Sequence, residues 1–380
     1  MSPTLPVSPS EGAPQRLMLI DAFKAVASQL IVLHHLAFYG PMSDFTHRLA
    51  PRLVAWFSQD ARLAVQVFLV VAGFLAARSL APAGLLTATH SPARLLGQRY
   101  VRIALPYIAA LMVAVLCTEL ARQWMAHDSL PGAPGFWQFV WHALLVHTLL
   151  DVDSLSAGVW YVAIDFQLYA LLVGLLWVAR GARGPWPQVL VAAGVLASLF
   201  HFNLDTGWDA WALYFFGAYG MGVLTAWATR DAGAWREGRW PMAALLALVF
   251  LALALDFRTR IAVALVVCAV LAAAQLHGWL TTWPRSRAVA YLGRISYSVF
   301  LLNFPVALVV NALFTRYGSA DPLVQTGGVL LAWLACNLAG AAFHHAVEQP
   351  LGRLGRARRK REISAPAPAP VPVPPGSSAP

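Results

Sequence analysis

Apolar residues follow one another in long runs along nearly the whole chain, with short polar segments between them. Most runs are about twenty residues long, which is the length that an α-helix needs to cross the hydrocarbon core of a bilayer. The runs lie near 19–39, 63–82, 101–121, 159–179, 187–204, 208–228, 240–257, 260–280, 289–314 and 327–347. The pattern therefore predicts an all-α polytopic membrane protein with about ten transmembrane helices.

An eleventh apolar run, 136–150, is shorter and carries Trp137, Trp141, His142 and His147. Tryptophan and histidine are more typical of the membrane interface than of a lipid-facing span. The sequence therefore predicts a short re-entrant or interfacial helix in this segment.

The composition agrees with a membrane protein and argues against other classes. Charged residues make up 12% of the 380 residues and hydrophobic residues 59%, so the chain has about half the charge of a soluble domain. A nucleic-acid-binding protein would expose its basic charge, whereas apolar runs recur along nearly the whole length of this chain. Cys117, Cys268 and Cys336 lie inside apolar runs without metal-ligand spacing, so neither a disulfide nor a metal site is expected.

The net charge of +10 is explained by membrane topology. With the N-terminus inside and 136–150 not crossing, most lysines and arginines fall in cytoplasmic segments, as the positive-inside rule requires. Both termini are therefore expected in the cytoplasm (N-in/C-in). Residues 1–15 are predicted to be a disordered N-terminal segment, and residues 352–380 a cytoplasmic tail that is first basic and then rich in alanine and proline.

The first predicted helix carries polar residues on one face. Lys24 and His35 are about 20° apart around the helix and about 16 Å apart along it, and Asp21 and Ser28 lie on the same side. Because charge inside a span is expensive, this stripe is expected to face the bundle interior or a water-filled cavity. In the alternative, Lys24 extends to the headgroups and His35 is an ordinary interfacial histidine.

Two arginines stand at the predicted inner start of the third helix. Arg99 and Arg102 are three positions apart, so both guanidinium groups are expected to reach one surface. Planar bidentate donors at a helix N-terminus suit a phosphate group. The same pair would also serve as an ordinary anchor to lipid phosphate.

The fourth spanning helix opens with aromatic residues at the expected outer interface and then contains an acid. Asp165 follows Trp160 by about one and a half turns, and an acid at that depth needs a partner. Asp165 could orient a histidine, pair with an arginine or bind a sugar hydroxyl. It could also bond locally to Gln167 or Tyr169.

In chain order, these segments resemble the acyltransferase-3 family of integral membrane O-acyltransferases. The opening RLMLIDAFKAVASQLIVLHH is similar to the family's first helix, whose acid, base and histidine correspond to Asp21, Lys24 and His35. Arg99 and Arg102 match the family's arginine pair.

Four further segments carry the resemblance. VFLVVAGFL at 67–75 is similar to a helix ending in Ser-Gly-Phe, and the segment from Trp160 resembles a Trp-Ser-Leu pattern with Asp165 in place of a glutamate. YLGRISYSVFLLNFPV at 291–306 resembles the late Leu-Gly-x-Ile-Ser-Tyr-Ser helix. Glu-Gln-Pro at 348–350 is similar to the terminal Glu-Lys-Pro signature.

Two further positions depart from the family pattern. Asn303 stands where the late helix usually has a histidine, so a second catalytic histidine is not expected. Lys24 replaces a commoner arginine, which keeps the charge but loses bidentate geometry. The resemblance covers residues 16–351, which it implies are one membrane acyltransferase domain.

The resemblance implies transfer of an acyl group, most often acetyl, from acyl-CoA to a hydroxyl of a saccharide, a lipid-linked glycan or another envelope molecule. Acyl-CoA would be a co-substrate, with no tightly bound cofactor and no metal. The expected location is a bacterial inner membrane, and nucleic acid is not an expected partner.

On this interpretation His35 is the general base and Asp165 a catalytic companion. Arg99, Arg102 and Lys24 would bind acyl-CoA from the cytoplasmic face, so donor and acceptor would enter from opposite faces. The residues expected to contact substrate are Asp21, Trp160, Tyr169 and Asn303. The alternative is a proton-coupled exporter or flippase of a glycolipid or small amphiphile, although no repeat relates two halves of the sequence.

Overall fold

The computed structural model describes residues 16–86, 91–182 and 184–353, and this part of the chain folds into helices joined by loops. The helices are α1 (Met18–Phe38), α2 (Pro41–Leu49), α3 (Pro51–Gln59), α4 (Val65–Leu80), α5 (Pro92–Arg122), α6 (Phe136–Ala143), α7 (Trp160–Ala179), α8 (Trp186–Phe200), α9 (Ala212–Ala228), α10 (Ala232–Leu255), α11 (Thr259–Leu276), α12 (Arg287–Tyr317) and α13 (Pro322–Phe343). A π-helical turn, His344–Glu348, follows α13. The predicted N-terminal segment 1–15 and the tail from residue 354 lie outside the described residues.

The prediction of an all-helical polytopic membrane protein is confirmed. Nine helical stretches in the described ranges are long and apolar enough to cross a membrane, and α9 is a shorter apolar helix. The ten predicted runs fall on these ten elements. The second run begins earlier than predicted, because α3, a 3₁₀ turn and α4 form one apolar stretch, Pro51–Leu80. The cytoplasmic location of both termini stays a prediction.

Helix α12 lies at the centre of the part of the bundle that holds the site, where it packs against α1, α5 and α13. Glycine permits the closest helix contacts. A Cβ on Gly293 of α12 would overlap the backbone carbonyl of Asp21, and one on Gly222 of α9 would overlap that of Val70 in α4. Backbone approach of this kind gives the van der Waals contact that holds membrane helices together.

The segment between α5 and α7 enters the bundle. The Tyr100 hydroxyl in α5 donates a hydrogen bond to the carbonyl of Ala143 at 2.7 Å, although the chain leaves α5 at Arg122. Tyr100 and Arg122 are about 33 Å apart along the axis of α5. Phe136 and Trp137 of α6 are exposed at the bundle surface, while Ala143 returns to the level of Tyr100. The geometry favours the re-entrant interpretation of 136–150 over the interfacial one.

Two stacked histidines hold this segment in place. The rings of His142 and His147 lie 3.9 Å apart. Nδ1 of His142 bonds to the Gln138 carbonyl, and its Nε2 accepts from the Leu155 amide, so His142 is satisfied as a neutral ring. His147 is buried, and neither of its ring nitrogens has a hydrogen-bond partner among the described residues. Burial and the neighbouring His142 lower the pKa of His147 to about 3.

On the opposite side of the bundle, a polar clamp joins α1 to α13. The amide of Gln29 donates to Asn337 Oδ1 at 2.7 Å, and its oxygen accepts from the Trp333 indole at 2.8 Å. These hydrogen bonds hold Gln29 against one turn of α13, so this clamp contributes to the register of the two helices.

We expect Gln29→Leu to lower the free energy of unfolding by about 0.5–1.5 kcal/mol, the range for hydrogen bonds between membrane helices. The measurement is thermal unfolding in mild detergent of wild type, Gln29→Leu, Asn337→Leu and the double variant. Because the two side chains share one interaction, the double variant should lose less than the sum of the single losses. Strictly additive losses would contradict the clamp.

The stacked histidines predict acid sensitivity. The folded state holds His147 neutral, whereas in the unfolded chain its pKa is near the ordinary value of about 6.5. Stability should therefore be complete above about pH 6.5 and decline as pH falls from there toward 3. Thermal unfolding at pH 7 and pH 5 should show a smaller decline in His147→Leu than in wild type. His201→Leu, at an exposed histidine, is the control, and an equal decline in His147→Leu and wild type would contradict the assignment.

Candidate functional site

His35 lies in the interior of the bundle with 5% of its surface exposed. It occupies the last turn of α1, and its Nδ1 is hydrogen-bonded to Oδ1 of Asn303 in α12. The rings of Tyr39 and Phe304 meet it edge-on at centroid distances of 5.6 and 6.2 Å. The imidazole is thus held on one side by an amide and enclosed by aromatic rings.

The opposite edge of His35 faces the loop before α7. Gly158 has a φ of +80°, and a Cβ built on it would lie 3.1 Å from Cε1 and 3.6 Å from Nε2 of His35. The ring of Phe300 would lie 3.6 Å from the same Cβ. Glycine is required here both for the left-handed backbone and for space beside Nε2.

A second centre surrounds Arg99 in α5. Its Nη2 donates to Oδ2 of Asp165 in α7 at 2.5 Å, and its guanidinium carbon lies 5.2 Å from the centroid of the Tyr169 ring. The Nε atom of Arg99 is buried and has no hydrogen-bond partner among the described residues. Tyr161 and Tyr219 lie within electrostatic range of the pair. An ion pair enclosed by tyrosines leaves one strong hydrogen-bond donor for a ligand.

The remaining cationic residues lie beside this centre. Arg102 is exposed and lies within electrostatic range of both Lys24 and Tyr169. Asp21 is 2.5 Å from Arg16 at the start of α1 and within range of Lys24. Lys24, Arg99 and Arg102 therefore form what we call the cationic layer.

The π-helical turn brings Glu348 to the same region. Ser298 Oγ donates to Glu348 Oε2 at 2.6 Å, and His344 Nδ1 lies 2.9 Å from the same oxygen. Glu348 is within electrostatic range of Lys24. Single π-helical turns occur most often at functional sites.

The structure brings the predicted residues together in two groups. One contains His35 and Asn303, and the other contains Asp165, Tyr169 and the cationic layer. Along α1, Lys24 of the second group lies about 16 Å from His35. Trp160 stacks on Phe215 at a centroid distance of 5.5 Å.

The contacts of Asp165 and Arg99 differ from those expected from the sequence. Orienting His35 was one of several roles considered for Asp165, but the carboxylate of Asp165 pairs with Arg99, while Nδ1 of His35 is bonded to Asn303. Arg99 and Arg102 were expected to reach one surface. Arg99 instead turns into the bundle, where its guanidinium pairs with the carboxylate of Asp165.

The sequence did not single out several of the residues that complete the site. Gly158, Tyr219 and His344 come from three separate segments. A glycine directly before the Trp160 helix is a signal for a left-handed turn, but nothing in the sequence shows which ring it faces. In the described ranges, no group of three or more His, Cys, Asp or Glu side chains is arranged to hold a metal ion.

We expect Gly158→Ala to obstruct the Nε2 edge of His35 and to reduce turnover by roughly a hundredfold, the scale on which small displacements in a site act. Steady-state turnover of the purified protein measures this. Gly278→Ala is the matched control, since Gly278 has a φ of +75° with nothing within 4 Å of its Cβ position. The Gly278→Ala variant therefore has a strained left-handed backbone but places no methyl group against a neighbouring side chain. Turnover in Gly158→Ala as high as in Gly278→Ala would contradict the obstruction of His35.

Comparison with known proteins assigns the chain to a family. The model of the acyltransferase-3 family, described as an acyltransferase domain, matches residues 19–341. This range contains His35, Asn303 and the cationic layer. No curated protein and no solved structure matches the chain. With most of its length matched and its apolar helices arranged as a polytopic bundle, the protein belongs to the acyltransferase-3 family of integral membrane acyltransferases.

Proposed function

We propose that the protein transfers an acyl group, in the first instance acetyl, from acyl-CoA to a hydroxyl of a saccharide, a lipid-linked glycan or another envelope molecule. The observation that carries this proposal is the placement of His35. It is a buried imidazole with one nitrogen held by an amide and the other beside a glycine, about 16 Å along α1 from the cationic layer. An imidazole in such a setting is suited to proton transfer.

The cationic layer is proposed to bind the phosphates of acyl-CoA. Arg102 and Lys24 supply positive charge, and the unpartnered Nε of Arg99 supplies a buried donor. Asp165 then acts by holding Arg99 in place, because it is the carboxylate that neutralises this guanidinium. The thioester end of the donor would extend along the polar face of α1 toward His35.

The proposed chemistry is direct acyl transfer. The acceptor hydroxyl gives its proton to Nε2 of His35 as its oxygen attacks the thioester carbonyl carbon. A carbon–oxygen bond forms, the carbon–sulfur bond breaks, and the proton passes from His35 to the departing CoA thiolate. The products are an ester and free CoA, and His35 returns to its neutral form.

The two groups imply two routes of entry. With both termini in the cytoplasm, the cationic layer faces the cytoplasmic side of a bacterial inner membrane, where acyl-CoA is available, and the acceptor approaches His35 from the other side. Trp160, with Tyr169 and Asp21 nearer the cationic layer, is proposed to contact substrate along this path. The bilayer supplies the surroundings of the bundle.

The first test concerns donor binding. We expect Arg102→Ala to weaken binding of desulfo-CoA, a non-reactive donor analogue, at least about tenfold, because a charge-assisted hydrogen bond is lost. Calorimetry on the purified protein measures this, with Arg94→Ala on the same helix as the control. Failure of wild-type protein to bind desulfo-CoA or longer acyl-CoA analogues would overturn the donor assignment.

The second test concerns catalysis. We expect His35→Ala to bind desulfo-CoA as wild type does and to lose about 10²–10⁴-fold in transfer rate, the contribution typical of a general base. Transfer is followed by CoA release in membranes that contain the acceptor. Near-wild-type transfer by His35→Ala would contradict the mechanism. Movement of an envelope lipid across the bilayer without acylation would favour the exporter.

A further inference from the structure

We propose that Asn303 is a positioning residue that holds His35 in the tautomer with hydrogen on Nδ1 and the free lone pair on Nε2. This inference rests on the proposed function, since it specifies which nitrogen of the general base reacts. It concerns a position where a histidine was expected from the family resemblance and where this chain has an amide.

The orientation of the Asn303 amide follows from its surroundings. Nδ2 donates to the backbone carbonyls of Phe300 at 2.7 Å and Val299 at 3.2 Å. Carbonyl oxygens only accept, so the atom that faces them must be the amide nitrogen. A flipped amide would place its oxygen against two carbonyl oxygens. Asn303 is 1% exposed, so bulk solvent does not reach the amide to relieve that repulsion.

The amide orientation then determines the proton on His35. Because Nδ2 faces the helix carbonyls, Oδ1 faces Nδ1 of His35. An amide oxygen has no hydrogen to give, so the hydrogen in this bond belongs to Nδ1. A neutral imidazole carries one hydrogen, which leaves Nε2 with the lone pair.

A separate observation indicates the same nitrogen. Nε2 lies on the edge of the ring that faces Gly158, and a Cβ on that residue would stand 3.6 Å from it. Tyr39 and Phe304 meet other parts of the ring. The nitrogen that the hydrogen-bond pattern makes basic is therefore the one on the ring edge that faces the Gly158 loop.

An amide differs from a histidine at this position in one chemical respect. Its oxygen accepts a hydrogen bond but does not take up a proton at working pH. Asn303 thus orients His35 without becoming a second base, and a single imidazole performs both proton transfers of the proposed reaction.

The first test reads the tautomer directly and needs no activity. In protein labelled with ¹⁵N-histidine, the signals of His35 are assigned by their loss in His35→Gln. Wild type should show a protonated Nδ1 and an unprotonated Nε2. Asn303→Leu should show a mixture of tautomers or the reverse one. Asn311→Leu is the matched control, since Asn311 is a buried amide of α12 that bonds to Ala307 and Met42 instead.

The second test is kinetic. Asn303→Leu should reduce kcat roughly 10- to 100-fold, as loss of an orienting partner does, with KM for acyl-CoA within about twofold. Asn303→Asp should retain the tautomer, because a carboxylate also accepts from Nδ1. The carboxylate would stabilise the imidazolium, so the acidic limb of the pH–rate profile should move to higher pH. If Asn303→Leu does not fold, the ¹⁵N-histidine spectrum and the pH–rate profile of Asn303→Asp test the positioning role of Asn303.

The outcomes separate this inference from the proposed function. Full transfer by His35→Ala would overturn the proposed function. An inactive His35→Ala together with an unchanged tautomer and unchanged kcat in Asn303→Leu would overturn the positioning role alone. An unmoved pH profile in Asn303→Asp would also overturn it, because a purely structural amide predicts no movement.

Discussion

The interior of a membrane bundle offers little water, so each polar side chain placed there must find a partner in the protein. This constraint organises the site. Arg99 forms an ion pair with Asp165, and His35 is hydrogen-bonded to Asn303. The carboxylate of Glu348 is hydrogen-bonded to a serine and a histidine. These pairings join α5 to α7, α1 to α12 and the end of the chain's last described helix to α12. Packing of small residues brings the helices close enough for the pairings to form.

The same constraint explains the chemistry available to the protein. A histidine with hydrogen bonds to both ring nitrogens cannot accept a substrate proton. A histidine with no hydrogen bond would be costly to bury and poorly oriented. His35 lies between these extremes, with Nδ1 bonded and Nε2 beside a glycine. Arg99 is similar, since its ion pair neutralises the charge while Nε stays available. Partial satisfaction distinguishes these residues from the closed clamp formed by Gln29 and Asn337.

Much of the fold and many of the site residues were predictable because the bilayer makes polar residues conspicuous. Ten apolar runs predicted ten helices. Lys24, His35 and Asp165 stood out as expensive inside them, and Arg99 stood out at the start of the third. The family resemblance ordered these residues into one domain, and the family comparison confirms that membership. Gly158 and Tyr219 gave no comparable signal, since glycine and tyrosine are common near membrane interfaces. Their importance depends on the rings and charges they meet.

The sequence by itself determined the fold class, because spanning length and hydropathy act locally along each helix and need no knowledge of neighbours. It also determined that several charges must lie inside the bundle. The tertiary structure alone decided the pairings. Asp165 had an arginine, a histidine or a sugar as possible partners, and a choice among them requires the relative rotation of α5 and α7. Asn303 meets His35 across 268 positions of the chain. Such a contact depends on packing between helices, which no local pattern encodes.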